Sequence, residues 1–278
     1  MAKTEAEAEI EKMKILEERI NAPSIWCRLP CGLRFEDLQD VRYDEAVQLL
    51  EEHFLTEEVT YKSVNIIKNK EGTEEFLCNA RIWMKDKMSI AAVNEESDEL
   101  IGVLIMRIQE KSAFSRTFSR VKLTYNLLYA NIMTFYNEVE KPVDLYDKLD
   151  VKKYLKIYAL AVKRMYRHKG IAKEMLKSAL SLAASAHVPA ISGIFTACGN
   201  QRIAEELGFI KFNEIPYNKY LSDDQVLFTD TEKNHSAALM ALRIAYVRET
   251  EELQTQQTSR FNIEPIDSDD TSEKKLHN

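Results

Sequence analysis

An α/β sandwich with one main sheet is the fold class that this 278-residue sequence predicts. Strand-like and helix-like stretches alternate along most of the chain. "SIAAVNE" and "ELIGVLIMRIQ", separated by "ESD", read as a hairpin-like pair of strands. The strand Tyr154–Val162 then passes through a glycine turn into a helix over roughly 171–186.

The elements follow in chain order. Residues 4–20 favour helix, but the apolar stripe of Ile10, Met13 and Ile20 is thin, which predicts a peripheral helix ended by Pro23. "CGLRFEDL" reads as a short strand. "VRYDEAVQLLEEHF" reads as an amphipathic helix with Val47, Leu50 and Phe54 on one side. "LTEEVTYKSV" reads as a breaker region, and 76–88 as a second helix. Past the hairpin comes a long insert. Its Val121, Tyr125, Leu128, Ile132, Phe135 and Val139 fall at helical spacing, and Pro142 closes the run. That stripe reads as core packing rather than a cofactor box. After the central strand and its helix, Pro189 opens "AISGIFT" as a strand. "GNQRIAEELG" is a short helix that Gly208 terminates. "FIKFNEI" and "DQVLFTD" read as late strands, and "AALMALRI" as a strand or a helix. From about 249 the chain turns polar and acidic and reads as a disordered tail. The length suits one large domain with tails or two small ones. The organisation expected is a peripheral helix over 1–24, one main domain over 25–248 and the tail over 249–278.

Charge narrows the function. The net charge of −7 argues against wholesale nucleic-acid binding. Yet residues 151–173 carry Lys152, Lys153, Lys156, Lys163, Arg164, Arg167, Lys169 and Lys173 and no acid. A solvated helix face is the usual fate of such a run. Here it brackets a glycine turn, which suits a small polyanion. Cys27, Cys31, Cys78 and Cys198 show no zinc spacing and fit a reducing compartment. The acidic N-terminus has the look of neither a signal nor a transit peptide. No apolar run approaches the roughly 20 residues that cross a bilayer. The expectation is a cytoplasmic protein with no membrane partner. The sequence leaves its oligomeric state open.

A strand leading through glycine into a helix is a standard phosphate site. The first helical turn leaves backbone N–H groups unpaired, and the macrodipole adds positive charge there. The spacing is Arg167-x-x-Gly170-x-Ala172, which is neither the Walker pattern nor Gly-x-Gly-x-x-Gly. Taken alone, Gly170 also fits a simple strand-to-helix turn.

This pattern, with "LGF" (Leu207–Phe209) some 35 residues on, resembles the acetyl-CoA core of the GNAT N-acetyltransferase superfamily. The finer resemblance is to the insect arylalkylamine N-acetyltransferase group. It is carried by the aromatic insert 121–148, by "YRHKGIA" (Tyr166–Ala172) and by "EELGFIKFNEIPYNKY". It spans roughly 33–245 and is strongest over 154–220. It implies a mixed, split central sheet flanked by helices on both faces, with acetyl-CoA lying in the split between the strands at 158–162 and 190–196. The pantetheine arm would pair with backbone near Leu160 and Val162. The pyrophosphate would take N–H groups of Arg167, His168, Lys169, Gly170, Ile171 and Ala172. Lys163, Arg164, Lys169 and Lys173 would add charge. The amide of Ala161 or Val162 would polarise the thioester carbonyl.

The resemblance also implies the chemistry. A carboxylate takes the proton of the acceptor ammonium, an effect of roughly 10²–10⁴-fold. The family base lies in a "DEP"-like motif, which aligns with Glu57, Glu58 and Val59 of "FLTEEVT". Glu58 is thus the candidate catalytic base. Val59 departs from the family proline, and both acids are equally compatible with a charged surface. Where the family places serines that assist the leaving thiolate, this chain has Ala197 and Asn200, with Thr196 and Cys198 as neighbours. Asn200 is counted with the cofactor residues. Cys198 lacks a His partner and reads as inert. No metal is expected. The insert's Phe114, Phe118, Tyr125, Tyr129 and Tyr136 suit an aromatic acceptor and equally suit core. The expected activity is acetyl transfer from acetyl-CoA to a primary amine, a small arylalkylamine first. Acetylation of a protein lysine or N-terminus, and a non-catalytic CoA-binding protein, are the alternatives.

Overall fold

In the computed structural model, ten strands and seven α-helices are described, over residues 22–111, 126–222 and 224–244. Strands β1 (Ile25–Leu29) and β2 (Leu33–Asp37) lead into helix α1 (Tyr43–His53), α2 (Val59–Ser63) and α3 (Lys70–Met84). The hairpin β3 (Ile90–Asn94) and β4 (Leu100–Glu110) follows. Then come α4 (Leu127–Glu140), α5 (Leu145–Leu149), β5 (Lys153–Val162) and α6 (Ile171–Ser185). The chain continues with β6 (Ala190–Phe195), α7 (Cys198–Glu206), β7 (Ile210–Pro216), the two-residue strands β8 (Leu221–Ser222) and β9 (Gln225–Val226), and β10 (Ser236–Arg243). The described residues all fall within one compact unit, which is bounded at Ile244.

Eight strands form the main sheet in the order β1-β2-β3-β4-β5-β6-β10-β7. Among the described strands, only β5 and β6 pair in parallel; the right-handed crossover expected between such strands is α6. Strand β4 reads "LIGVLIM" and is buried throughout that run, as befits a strand covered on both faces. Helices α1 to α5 cover one face, burying Leu50, Phe76, Ile132, Phe135 and Val139 against Val103, Ile105 and Ala159. Helices α6 and α7 cover the other, where Met175, Ala179 and Leu182 meet Leu104, Leu155 and Ile191. The apolar residues of α6 recur every three or four positions, which is why one side of it is buried along its whole length.

The alternating α/β reading matches this sheet, and "AALMALRI" resolves as the strand β10. Four local expectations are corrected. β1 was not foreseen. The breaker region contains the helix α2. Helix α3 starts at Lys70, six residues earlier than read, because the Asn69 side chain caps it by accepting the Gly72 amide at 2.8 Å. "DQVLFTD" yields only the two residues of β9; Leu227 and Phe228 leave the ladder and pack on the core instead. The helix expected over 4–20, the first half of the insert with Phe114, Phe118, Val121 and Tyr125, and the tail from 249 lie outside the described residues.

Candidate active site

The central sheet opens beside β5. Pairing with β6 runs through Leu155–Ile191, Lys156–Ser192 and Ile157–Gly193 and then stops, although β5 continues to Val162. Gly193 permits the last close approach, since a Cβ there would sit 3.1 Å from Ile157 Cβ. One residue later the β4–β5 ladder shifts register, with Ile105 opposite Ala159 and Met106 opposite Ile157, so Tyr158 is the extra residue of a bulge. Beyond it the Lys163 amide donates to the Ile101 carbonyl at 2.8 Å. In an antiparallel ladder this turns the backbone groups of Ala161 towards β4, and those of Leu160 and Val162 into the split. The expectation for Ala161 is therefore corrected: it lines the cavity, but its amide faces the neighbouring strand.

The loop after β5 forms a ready anion cradle. His168 and Gly170 both take left-handed backbone (φ 60° and 78°), and a Cβ at Gly170 would meet nothing within 4 Å. Gly170 is the N-cap of α6, and the first amide to bond back is that of Glu174, onto the Gly170 carbonyl at 3.1 Å. The amides of Ile171, Ala172 and Lys173 thus lack the intrahelical partners that later turns have. Gly170, Ile171, Ala172 and His168 all line the cavity.

The side-chain charges around this loop are arranged differently from the expectation. Arg167 is a brace: its Nε donates to the Val162 carbonyl (3.0 Å), its Nη2 to the His53 carbonyl (2.9 Å), and its Nη1 lies 3.4 Å from Glu57. Its amide is also engaged, at 3.2 Å from the Arg164 carbonyl. Arg164 pairs with Glu57, Lys163 with Glu99 (2.6 Å) and Lys173 with Glu206 (2.6 Å). Lys169 lies 5.2 Å from the Tyr166 ring centroid. Most of the cationic run is thus neutralised by acids brought in from other elements. Burial pushes the Glu57 carboxyl up, but Arg164 and Arg167 outweigh it and hold it below its ordinary value.

The split, the loop and the end of α1 enclose one cavity of about 760 Å³. Glu58 lies in its wall and is half-buried. Its backbone is extended (φ −65°, ψ 135°), and its side chain caps α2. Oε2 accepts the amides of Thr60 and Tyr61, each at 2.9 Å, and the Thr60 hydroxyl at 2.7 Å. Oε1 is 3.4 Å from the Tyr136 hydroxyl. Burial raises the Glu58 carboxyl above its ordinary value, and hydrogen bonds from Thr196, Tyr61 and Thr60 only partly offset this. Val59 occupies the first helical position, where a proline is accepted readily, so the turn survives the departure from the family motif.

Beyond Glu58 the cavity wall turns aromatic and polar. Trp83 stacks on Tyr158 (4.5 Å between centroids, 26° between planes), and Gln109 donates to the Tyr158 hydroxyl at 2.9 Å. Lys156 meets Glu140 here in a two-oxygen contact of 2.5 and 2.6 Å. Burial works against the Lys156 charge, yet Glu140 more than compensates and the ammonium is held above its ordinary range. Residue reasoning missed Trp83, Gln109 and this ion pair as parts of the site. The partners lie on separate elements, and no spacing signals their meeting.

On the far wall Thr196, Ala197 and Asn200 line the cavity. Ala197 caps α7 without a side-chain bond. Tyr217 is buried, and its hydroxyl donates to the Thr196 carbonyl at 2.7 Å. Cys198 is exposed, with its amide on Asn234 Oδ1 at 2.9 Å. Among the described residues, no cluster of His, Cys, Asp and Glu could hold a metal, and no helix is long and apolar enough to cross a membrane.

No curated protein sequence matches. Several solved structures share the fold. An arylalkylamine N-acetyltransferase 7, described as putative, from the yellow fever mosquito Aedes aegypti superposes with a TM-score of 0.72 at 24% identity, over 80% of this chain and 96% of its own. Arylalkylamine N-acetyltransferase 2 of the same mosquito gives 0.71 at 24% identity, over 77% and 100%. A Drosophila melanogaster polyamine N-acetyltransferase, described as forming N-acetylagmatine, gives 0.60 at 14%, over 76% and 99%. Residues 59–209 match the model of the Acetyltransferase (GNAT) family. That span is more than half of the sequence and contains the split, the cradle and most of the cavity lining, though not Glu58 or the end of α1, and the chain accordingly belongs to the GNAT acetyltransferase family, whose co-substrate is acetyl-CoA.

Proposed function

We propose that this enzyme acetylates a small primary amine, with an arylalkylamine as the preferred acceptor and Glu58 as the base. The observation that carries the reading is the meeting of an open strand edge and a half-buried carboxylate in one cavity. Residues of this chain fit acetyl-CoA. Gly170 leaves its cradle clear of any Cβ, and the amides of Ile171, Ala172 and Lys173 suit a diphosphate. Leu160 and Val162 present strand-edge groups to an extended amide chain. Acetyl-CoA supplies a thioester carbonyl open to attack by a neutral amine.

The protein's part is proton handling and orientation. An ammonium entering the cavity loses its proton to Glu58 Oε1, the oxygen left clear by the cap. The raised affinity of that carboxyl for protons brings it nearer to the operating pH, which favours transfer. The Val162 amide donates a hydrogen bond where negative charge gathers on the carbonyl oxygen. Thr196 lines the same cavity, and its hydroxyl is the candidate to replace the family's serines in assisting the leaving thiolate. Trp83 and Tyr158 offer an aromatic acceptor a stacking surface.

A thiol-release assay with acetyl-CoA over tryptamine, dopamine, diamines and lysine peptides tests this. Turnover is expected on the aromatic amines. Turnover on peptides alone, or thermal stabilisation by acetyl-CoA with no turnover on any acceptor, contradicts it.

A further inference from the structure

We infer that Lys156 sets acceptor specificity by acting as a built-in ammonium: it occupies the Glu140 carboxylate that the second cation of a diamine would otherwise use. The inference deepens the functional reading and rests on Glu58 receiving the reacting amine.

Glu140 and Lys156 both line the cavity that contains Glu58. A carboxylate in the wall of an amine-binding cavity is the natural partner for the distal charge of a diamine or guanidinoamine. Here both Glu140 oxygens contact Lys156 Nζ, at 2.5 and 2.6 Å. The two side chains retain only 29% and 20% exposure, so the pair is largely withdrawn from water. The ammonium also lies 5.2 Å from the centroid of the Tyr158 ring, which in turn stacks on Trp83. A second cation entering this end must displace Lys156 from Glu140 and leave one of two partly buried charges unpaired, which is unfavourable. Glu110 also lines the cavity but is exposed, so water screens its pull on a cation. An uncharged aromatic or aliphatic tail meets no such conflict. The site is therefore closed to diamines by charge rather than by volume.

The test compares wild type, Lys156→Met and the double variant Lys156→Met/Glu140→Gln. Acceptors are pentylamine, cadaverine, tryptamine and agmatine, assayed by thiol release with acetyl-CoA. In wild type, cadaverine is expected to be poorer than pentylamine by about ten-fold or more in kcat/KM, the difference being a second charge held partly out of water beside Lys156. Lys156→Met should raise the cadaverine-to-pentylamine ratio by about ten-fold, mainly through KM, and the double variant should return it to the wild-type level. A ratio in Lys156→Met within about twofold of wild type, well under the tenfold that 1.4 kcal/mol represents, overturns the inference. Calorimetry of cadaverine and pentylamine on the CoA-loaded wild-type protein reads the same discrimination without turnover. It separates this claim from the functional one, since absent turnover contradicts the proposed reaction while equal binding of the two amines contradicts the role of Lys156. The wild-type comparison also stands if Lys156→Met fails to fold.

Discussion

The Tyr61 amide donates to Glu58 Oε2 at 2.9 Å, so the candidate base is also the cap of the helix that follows it. One oxygen is committed to holding α2, and the other faces Tyr136 and the cavity. The cap thus fixes the aim of the carboxylate that is proposed as the base, and burial raises that carboxyl above its ordinary value.

Glu58→Gln separates the two roles. The amide oxygen still accepts the Thr60 and Tyr61 amides, so the melting temperature should change little. Turnover should fall by about 10²–10⁴-fold, the usual contribution of a general base. Glu58→Ala should lose about 1 kcal/mol of stability as well, the cost of a missing cap. Chemical denaturation and thiol-release kinetics on both variants check this.

The pH dependence follows from the same burial. The Glu58 carboxyl is raised above its ordinary 4.5, and the active form is the carboxylate. kcat/KM should therefore climb through a pKa above that value, and Glu58→Gln should flatten this limb. Stability runs the opposite way. The folded chain keeps this proton to higher pH than the unfolded one. The contribution is thus fully present below the unfolded pKa and is lost as pH rises through the folded pKa. Urea melts of wild type and Glu58→Gln across this window should show the decline in the first only.

Gly170→Asp should abolish acetyl-CoA binding. The substitution places a carboxylate in the open cradle at a left-handed position (φ 78°). Repulsion from the diphosphate and loss of the close approach together should weaken binding by at least about 100-fold, or roughly 3 kcal/mol. Isothermal calorimetry with coenzyme A measures this.

Arg167→Lys should destabilise the protein rather than simply weaken phosphate binding. The guanidinium ties β5, the end of α1 and Glu57 together through three contacts that one ammonium cannot reproduce. A loss of about 2 kcal/mol is expected, or about 4–8 °C in melting temperature for a domain of this size. Scanning calorimetry reads it.

Val59→Pro should be tolerated. Glu58 already has the extended backbone that a residue before proline adopts, and Val59 is the first residue of α2. The stability change should stay within about 1 kcal/mol, because the lower entropy of the unfolded chain offsets lost packing of a buried Val59. A loss of several kcal/mol in urea melts would show that the turn needs valine.

Much of this molecule is legible in its residues, for identifiable reasons. Tyr154–Val162, Gly170 and Ile171–Ser185 form one local unit, and the strand, turn and helix signals agree across it. The α2 region hid because its cap is a glutamate and its helix is the β-branched "VTYKS", with weak helix propensity. Strand β1 hid between Pro23 and Pro30, where five residues carry no alternation. The larger gap concerns partners distant in sequence. Lys156 belongs to the cationic run, but the fold sends it to Glu140 in the cavity wall near Tyr158, while Glu57 and Glu99 neutralise the cations beside the loop. Ion pairs between separate elements depend on tertiary placement, which local patterns do not encode. The same holds for the Trp83–Tyr158 stack.

A crystal structure of the enzyme with coenzyme A and tryptamine tests the central claim most directly. The account expects the diphosphate on the amides of Gly170 to Lys173, the pantetheine arm along Leu160 and Val162, and the amine nitrogen within hydrogen-bonding reach of Glu58 Oε1. Coenzyme A bound outside the β5–β6 split, or an amine seated away from Glu58, would contradict it.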